Sequence, residues 1–181
     1  MSWRRPLKLR MPAERRDSMV QKVMKEMIAY YAGDPARIQH FLKVYEFSRM
    51  IGLEENLESD MQLTLELAAL VHDIGIRPSE AIYGDCKGPH QEELGPAEVK
   101  KMLEPLGVEP ERIERIMYLV GHHHTYKNIE GMDYQILVEA DFLVNLYEEG
   151  VKKEAALAAR KNIFRTKTGI WTLNTMFCLQ E

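Results

Sequence analysis

The chain carries six histidines, His40, His72, His90, His122, His123 and His124, and any chemistry it performs starts from them. Val44, Phe47 and Ile51 follow His40 at helical spacing, so His40 lies on an apolar face and points into a core. Leu65, Ala68 and Ala69 share a face with His72, and Asp73 comes next, at the end of Leu-Ala-Ala-Leu-Val. Asp141 lies in Leu-Val-Glu-Ala-Asp-Phe-Leu-Val, between Leu137 and Val144 on one face. An ionised carboxylate on an apolar face is costly unless it is paired or binds a metal. Taken singly, each of these residues is satisfied by a hydrogen bond in the core or, for Asp141, by an arginine. Taken together, three helices that each turn imidazole or carboxylate inward describe the way bundle interiors build metal sites. Histidine and aspartate without thiolate suit one or two divalent ions of iron, manganese, nickel, cobalt or zinc, and not a structural zinc cluster. His122, His123 and His124 close a helix with Ile113, Ile116, Met117 and Val120 on its apolar side. Successive helical residues are about 100° apart, so the three cannot all face inward. His123 continues the line of Ile116 and Val120, and His124 that of Met117 and Val120.

The elements that must position these groups read as helices throughout, with no alternating period. The pattern predicts helices over 19–31, 34–50 (opened by Asp34 as cap and Pro35 at the first position) and 59–74. Residues 77–89 hold two prolines and two glycines and read as a loop long enough to be functional. A helix after His90, interrupted at Gly95-Pro96, ends near Leu103; others cover 110–123, 134–149 (capped by Asp133) and 152–164, before a turn and a short tail. The expected architecture is all-α, a single domain of about seven helices over 19–181, preceded by a basic arm over 1–18.

Composition bounds the function. The chain has 181 residues and a formal charge of −4, with 45% hydrophobic residues, enough for one domain with a sizeable core. Cys86 and Cys178 form no CxxC motif and fit a reducing compartment. With no run of about 18 apolar residues and no apolar leader, a cytoplasmic protein without membrane contact is expected. Net acidity argues against nucleic acid as an obligate partner, and a homodimer is compatible with the sequence. The methionines read as core filling, and Glu92-Glu93 as a solvated helix face.

The ordered set His40, His72-Asp73, Asp141 resembles the HD superfamily of metal-dependent phosphohydrolases. Leu-Ala-Ala-Leu-Val-His-Asp-Ile-Gly is similar to its HD motif and Val-Glu-Ala-Asp-Phe-Leu to its final aspartate helix, a likeness spanning residues 20–165. The resemblance implies an HD-domain helical bundle in which His40, His72, Asp73 and Asp141 bind a first metal. Asp73 would bridge to a second, with His90, His122 and His123 standing in the order of the extra histidines of binuclear members. His-His-His-Thr-Tyr-Lys lacks the His-His-Glu and Gly-Tyr-Pro elements of HD-GYP phosphodiesterases, and the chain lacks the His-Thr-Thr-Gly stretch of the diadenosine-tetraphosphate hydrolases.

The implied activity is cleavage of a phosphomonoester or phosphodiester, of a nucleotide, by a metal-activated water. In that reading Asp73 orients the water and His122 or His124 protonates the leaving group. Arg77, just past the helix end, and Lys127 hold phosphate, with Arg165 or Lys167 as a third choice. The alternatives are a non-catalytic nucleotide-sensing module and a di-iron oxygenase on the same fold.

Overall fold

The computed structural model describes residues 12–179; most of the expected basic arm, residues 1–11, lies outside them. Helix α1 covers Ala13–Tyr30, taking in the end of that arm, and its buried residues begin at Met19. Helix α2 covers Pro35–Glu54 and opens as its sequence requires: the Asp34 carboxylate accepts from the Arg37 N–H at 3.1 Å, and Pro35 occupies the first turn. Helix α3, Ser59–Val71, is buried on nearly every side, with Leu63, Leu65, Leu67, Ala68, Ala69, Leu70 and Val71 all at 1% exposure or less. A helix apolar all round belongs at the centre of a bundle.

The segment expected as a loop over 77–89 is largely helical, as α4, Ile76–Tyr83. Pro78 falls in the first turn, where its missing N–H costs nothing, so it starts the helix instead of breaking it. Gly84, at φ 71°, closes α4 with a left-handed cap. Helix α5 then runs unbroken over Gly88–Leu103 with Pro96 inside it. The expected interruption at Gly95-Pro96 is a packing feature: a Cβ on Gly95 would come within 2.7 Å of Val120 Cγ1, so the missing side chain admits the neighbouring helix.

That neighbour is α6, Pro110–Val120, which ends three residues short of the expected His123 and leaves the three histidines in the following turn. Helix α7 covers Met132–Glu148 and is the second central helix, with an almost continuous buried run from Asp133 to Asp141. Asp133 does not cap it; its buried carboxylate takes both arms of Arg115 at 2.7 and 2.8 Å, tying α6 to α7. Helix α8 covers Lys153–Asn162. The expected tail is a further helix, α9, Lys167–Phe177, capped by the Thr166 hydroxyl on the Gly169 N–H at 2.9 Å. Glu139 of α7 accepts from the N–H groups of Arg165 and Thr166 at 2.6 and 3.0 Å, fixing the start of α9 against the core.

Among the described residues there are nine helices and no strand. The all-α reading therefore holds, and α4 and α9 are the two elements the pattern did not resolve. Helix α2 packs along both α3 and α7; α1 and α6 flank α3; α5 lies between α4 and α6; α8 and α9 sit on α7. The ends of α3 and α6, the second turn of α2 and the middle of α7 meet at one buried point.

Candidate metal centre

At that point the chain gathers His40 from α2, His72 and Asp73 from the turn after α3, His123 from the turn after α6, and Asp141 from α7. His40 Nε2 lies 3.2 Å from His72 Nε2, 3.4 Å from Asp73 Oδ2 and 3.2 Å from Asp141 Oδ1. His72 Nε2 is 3.3 Å from Asp73 Oδ2 and 3.6 Å from Asp141 Oδ1. The other oxygen of Asp73, Oδ1, faces His123 Nε2 at 3.5 Å. One ligand atom each from His40, His72 and Asp73 fall within 4.8 Å of one another, and so do one each from Asp73, His123 and His124. Asp73 thus stands in two donor sets, with one oxygen toward each.

The outer nitrogens explain why the inner ones are donors. His72 Nδ1 donates to the Ala69 carbonyl at 2.8 Å, His123 Nδ1 to the Val120 carbonyl at 2.7 Å, and His40 Nδ1 to Glu148 Oε2 at 2.9 Å. An acceptor on Nδ1 selects the tautomer that carries its proton there and turns the Nε2 lone pair inward. Lone pairs and carboxylate oxygens then converge on one volume. Asp141 Oδ1, His123 Nε2 and His124 Nε2 are buried there without a well-formed hydrogen bond. Buried polar atoms in a native protein have partners, and divalent cations at the two donor sets would supply them, one beside Asp141 and one beside His123 and His124. The donor set of imidazole and carboxylate without sulfur fits such an ion.

The electrostatics agree. Burial disfavours a charge on His40 and His72, but the facing Asp141 and Asp73 carboxylates outweigh it and hold both imidazoles above their ordinary range, His72 far above. Burial likewise pushes Asp73 and Asp141 up, and the surrounding histidines overcome it and keep both carboxylates ionised. His124 goes the other way: burial, and then the charge of His123, bring it down to about 4. With an unfolded-state value of about 6.5, His124 is neutral when folded through a range where the unfolded chain protonates. Its contribution is complete above pH 6.5 and lost as pH falls toward 4. Between pH 7 and 4 the metal-free wild type is expected to lose roughly 3 kcal/mol more stability than His124→Gln, on the scale of about 1.4 kcal/mol per pKa unit. Urea unfolding of both proteins across that range checks it, and parallel slopes would contradict it.

Backbone anchors hold the two turns. The Tyr31 hydroxyl donates to the Asp73 carbonyl at 2.7 Å and the Tyr30 hydroxyl to the Ile74 carbonyl at 3.0 Å, clamping the turn from the end of α1. On the other turn, Glu92 of α5 accepts from the His124 N–H at 3.0 Å and from the Thr125 hydroxyl. The Tyr134 hydroxyl reaches the His122 carbonyl at 2.5 Å, and the His124 ring lies directly over Gly88. Glu92, read from sequence as solvated, is therefore a support of the histidine turn. Tyr30, Tyr31, Tyr134 and Glu148 carried no local signal, although Glu148 stands seven residues after Asp141, on the same helical face.

Of the other expected site residues, His90, His122 and Arg77 have partners outside the two donor sets. Gly88 and Glu92 are four apart and face His124, which puts His90, midway between them, on the opposite side of α5. There it stacks on Tyr83 at 4.0 Å and directs Nδ1 to Asp85 at 2.7 Å. His122 stacks on Tyr118 at 4.3 Å, with Nδ1 on the Tyr118 carbonyl at 2.7 Å. Arg77 is exposed and turns to α1, over the Tyr30 ring and onto its carbonyl. Lys127 is exposed on the loop after His124, as are Arg165 and Lys167 at the start of α9.

The HD domain family matches residues 37–161, well over half of the chain. The chain belongs to that family. The match takes in every member of the two donor sets, together with Asp141 and Glu148, while the tyrosine clamp of α1 and all of α9 lie outside it. Among solved structures, the HD domain described here is similar to a predicted HD superfamily hydrolase from an uncultured Thermotogales bacterium. That likeness has a TM-score of 0.61 and 24% identity, covering 90% of this chain and 84% of the other, and it bears on the fold. No curated protein matches the chain. No helix among the described residues is long and apolar enough to cross a membrane.

Proposed function

We propose that this HD domain is a metal-dependent phosphohydrolase that cleaves a phosphomonoester or phosphodiester of a nucleotide. The observation that carries the reading is Asp73, half-buried between two donor sets and turning one oxygen to each. In the proposed site His40, His72, Asp73 and Asp141 would hold one divalent ion, and Asp73, His123 and His124 a second. Ions bound there supply an acidified water and neutralise phosphoryl oxygens.

The chain's own groups do the rest. Glu148 and the Ala69 and Val120 carbonyls hold the ligand imidazoles in one tautomer, and the Tyr30–Tyr31 clamp fixes the Asp73 backbone. His124, neutral at pH 7, serves as a donor atom; a group titrating at about 4 carries protons poorly there in either direction. Arg37 is engaged by Glu80 and Asp34, Lys43 by Glu148 and Arg77 by the Tyr30 carbonyl. Lys127, on the loop after His124, is the cation we assign to the substrate phosphate.

The test is the metal content of the purified protein, followed by phosphate release and diester cleavage over a nucleotide panel with added manganese or iron. Turnover of at least one nucleotide by the metal-loaded protein is expected. A protein inactive on every substrate with every metal would overturn the reading; tight nucleotide binding without turnover would mark a sensor, and oxygen consumption by the iron-loaded protein an oxygenase.

A further inference from the structure

The supports of the inward imidazoles are unequal. His72 and His123 lean on carbonyls of their own helical turns, three residues back, which no side-chain change removes. His40 leans on a side chain from another helix. Asp141 and Glu148 are seven residues apart on α7, so one face of that helix presents two carboxylates to α2. They bracket the His40 ring, Asp141 Oδ1 at 3.2 Å from Nε2 and Glu148 Oε2 at 2.9 Å from Nδ1. Lys43, one turn after His40, holds the other oxygen of Glu148 at 2.5 Å. Glu148 keeps about a third of its side chain exposed, so it can be changed without opening the core.

We propose that Glu148 is a positioning residue. It fixes His40 in the tautomer that directs Nε2 inward, and so sets the affinity of the cation position formed by His40, His72, Asp73 and Asp141. The position formed by Asp73, His123 and His124 does not depend on it. This inference rests on reading the pocket as a metal site. A carboxylate on the far nitrogen of a ligand histidine both orients the ring and makes the ligating nitrogen more basic, and losing such a partner weakens metal binding by about 10- to 100-fold. Glutamine at this position keeps an oxygen that accepts from Nδ1–H, whereas alanine removes the acceptor.

The experiment titrates Mn2+ into metal-free wild type, Glu148→Ala and Glu148→Gln, counting bound ion by its paramagnetic resonance signal, and reads the His40 tautomer from nitrogen-15 spectra at alkaline pH, where the ring is neutral. In Glu148→Ala one Mn2+ equivalent is expected to weaken by about 10- to 100-fold while the other is unchanged, with the His40 proton shared between both nitrogens. Glu148→Gln is expected to restore the Nδ1–H tautomer and most of the affinity. Wild-type Mn2+ binding and an unaltered tautomer in Glu148→Ala would overturn the inference, as would equal weakening in both variants with the tautomer kept. A wild type that binds no Mn2+ would instead overturn the metal reading, and the tautomer spectra would still decide whether Glu148 orients His40.

Discussion

Asp73→Asn is expected to empty both donor sets at once. Oδ2 of Asp73 lies 3.3–3.4 Å from His72 and His40, and Oδ1 lies 3.5 Å from His123. The substitution preserves shape, so packing around the turn and the Tyr31 contact to its carbonyl should survive. What it removes is the negative charge that both positions share. Asparagine also brings an NH2 group, which can accept nothing, toward one of the two sets. The charge stabilisation a metal offers a phosphoryl transition state amounts to several kcal/mol, and about 4 kcal/mol corresponds to roughly a thousand-fold in rate. Metal content well below one equivalent and a kcat lower by about a thousand-fold or more are the expected results, measured by elemental analysis and phosphate release. His124→Gln, which touches one set only, is the control. Retention of a full complement of metal in Asp73→Asn would show that Asp73 bridges nothing.

Gly75→Ala is expected to be the most destabilising single methyl in the chain. Gly75 has φ −70° and ψ −14°, ordinary helical values that alanine adopts freely. On backbone grounds alone the change would be neutral or stabilising by up to about 1 kcal/mol. The surroundings reverse the sign. A Cβ here would lie 2.5 Å from the Gln91 carbonyl oxygen and 3.0 Å from its Cα, and these are backbone atoms of α5 that no rotamer change can move aside. Overpacking of this kind costs about 3 kcal/mol. For a chain of this length that is a fall in Tm of roughly 6 to 12 °C. The damage also has a direction, because pushing α5 away from the turn after α3 carries Glu92 away from the His124 N–H. Calorimetric melting and Mn2+ stoichiometry together check this: both the melting temperature and the second equivalent should suffer, and an unchanged melting temperature would contradict the close approach.

Local pattern made the buried part of the site legible. His40, His72, Asp73 and Asp141 each sit at helical spacing from apolar neighbours, and the cost of burying them unpaired made their convergence readable before any geometry. His123 and His124 were legible alike, as continuations of the faces of Ile116 and Met117, with the choice among the three histidines left open; α6 ends earlier, and both reach the site from a turn. The supports were not legible, because a hydroxyl on a carbonyl 42 residues away, as from Tyr31 to Asp73, leaves no periodicity. His90 looked like a ligand because order along the chain says nothing about rotation around a helix. The contacts of Gly88 and Glu92 with His124 show which way the first turn of α5 faces. Helix α4 was hidden by the rule of proline as a breaker, applied where proline falls in a first turn.

The turn that carries His72 and Asp73 begins where α3 stops, and the turn that carries His123 and His124 begins where α6 stops. Two helices therefore bring their carbonyl ends to the same buried point. The aligned peptide dipoles leave about half a negative elementary charge at each such end. A cation held between them feels a field written into the backbone, in addition to that of the carboxylates. Side-chain variants of the ligands alter the chemical bonds to an ion and leave this field in place, so the preference of the pocket for positive charge is a property of the chain's topology as well as of its histidines.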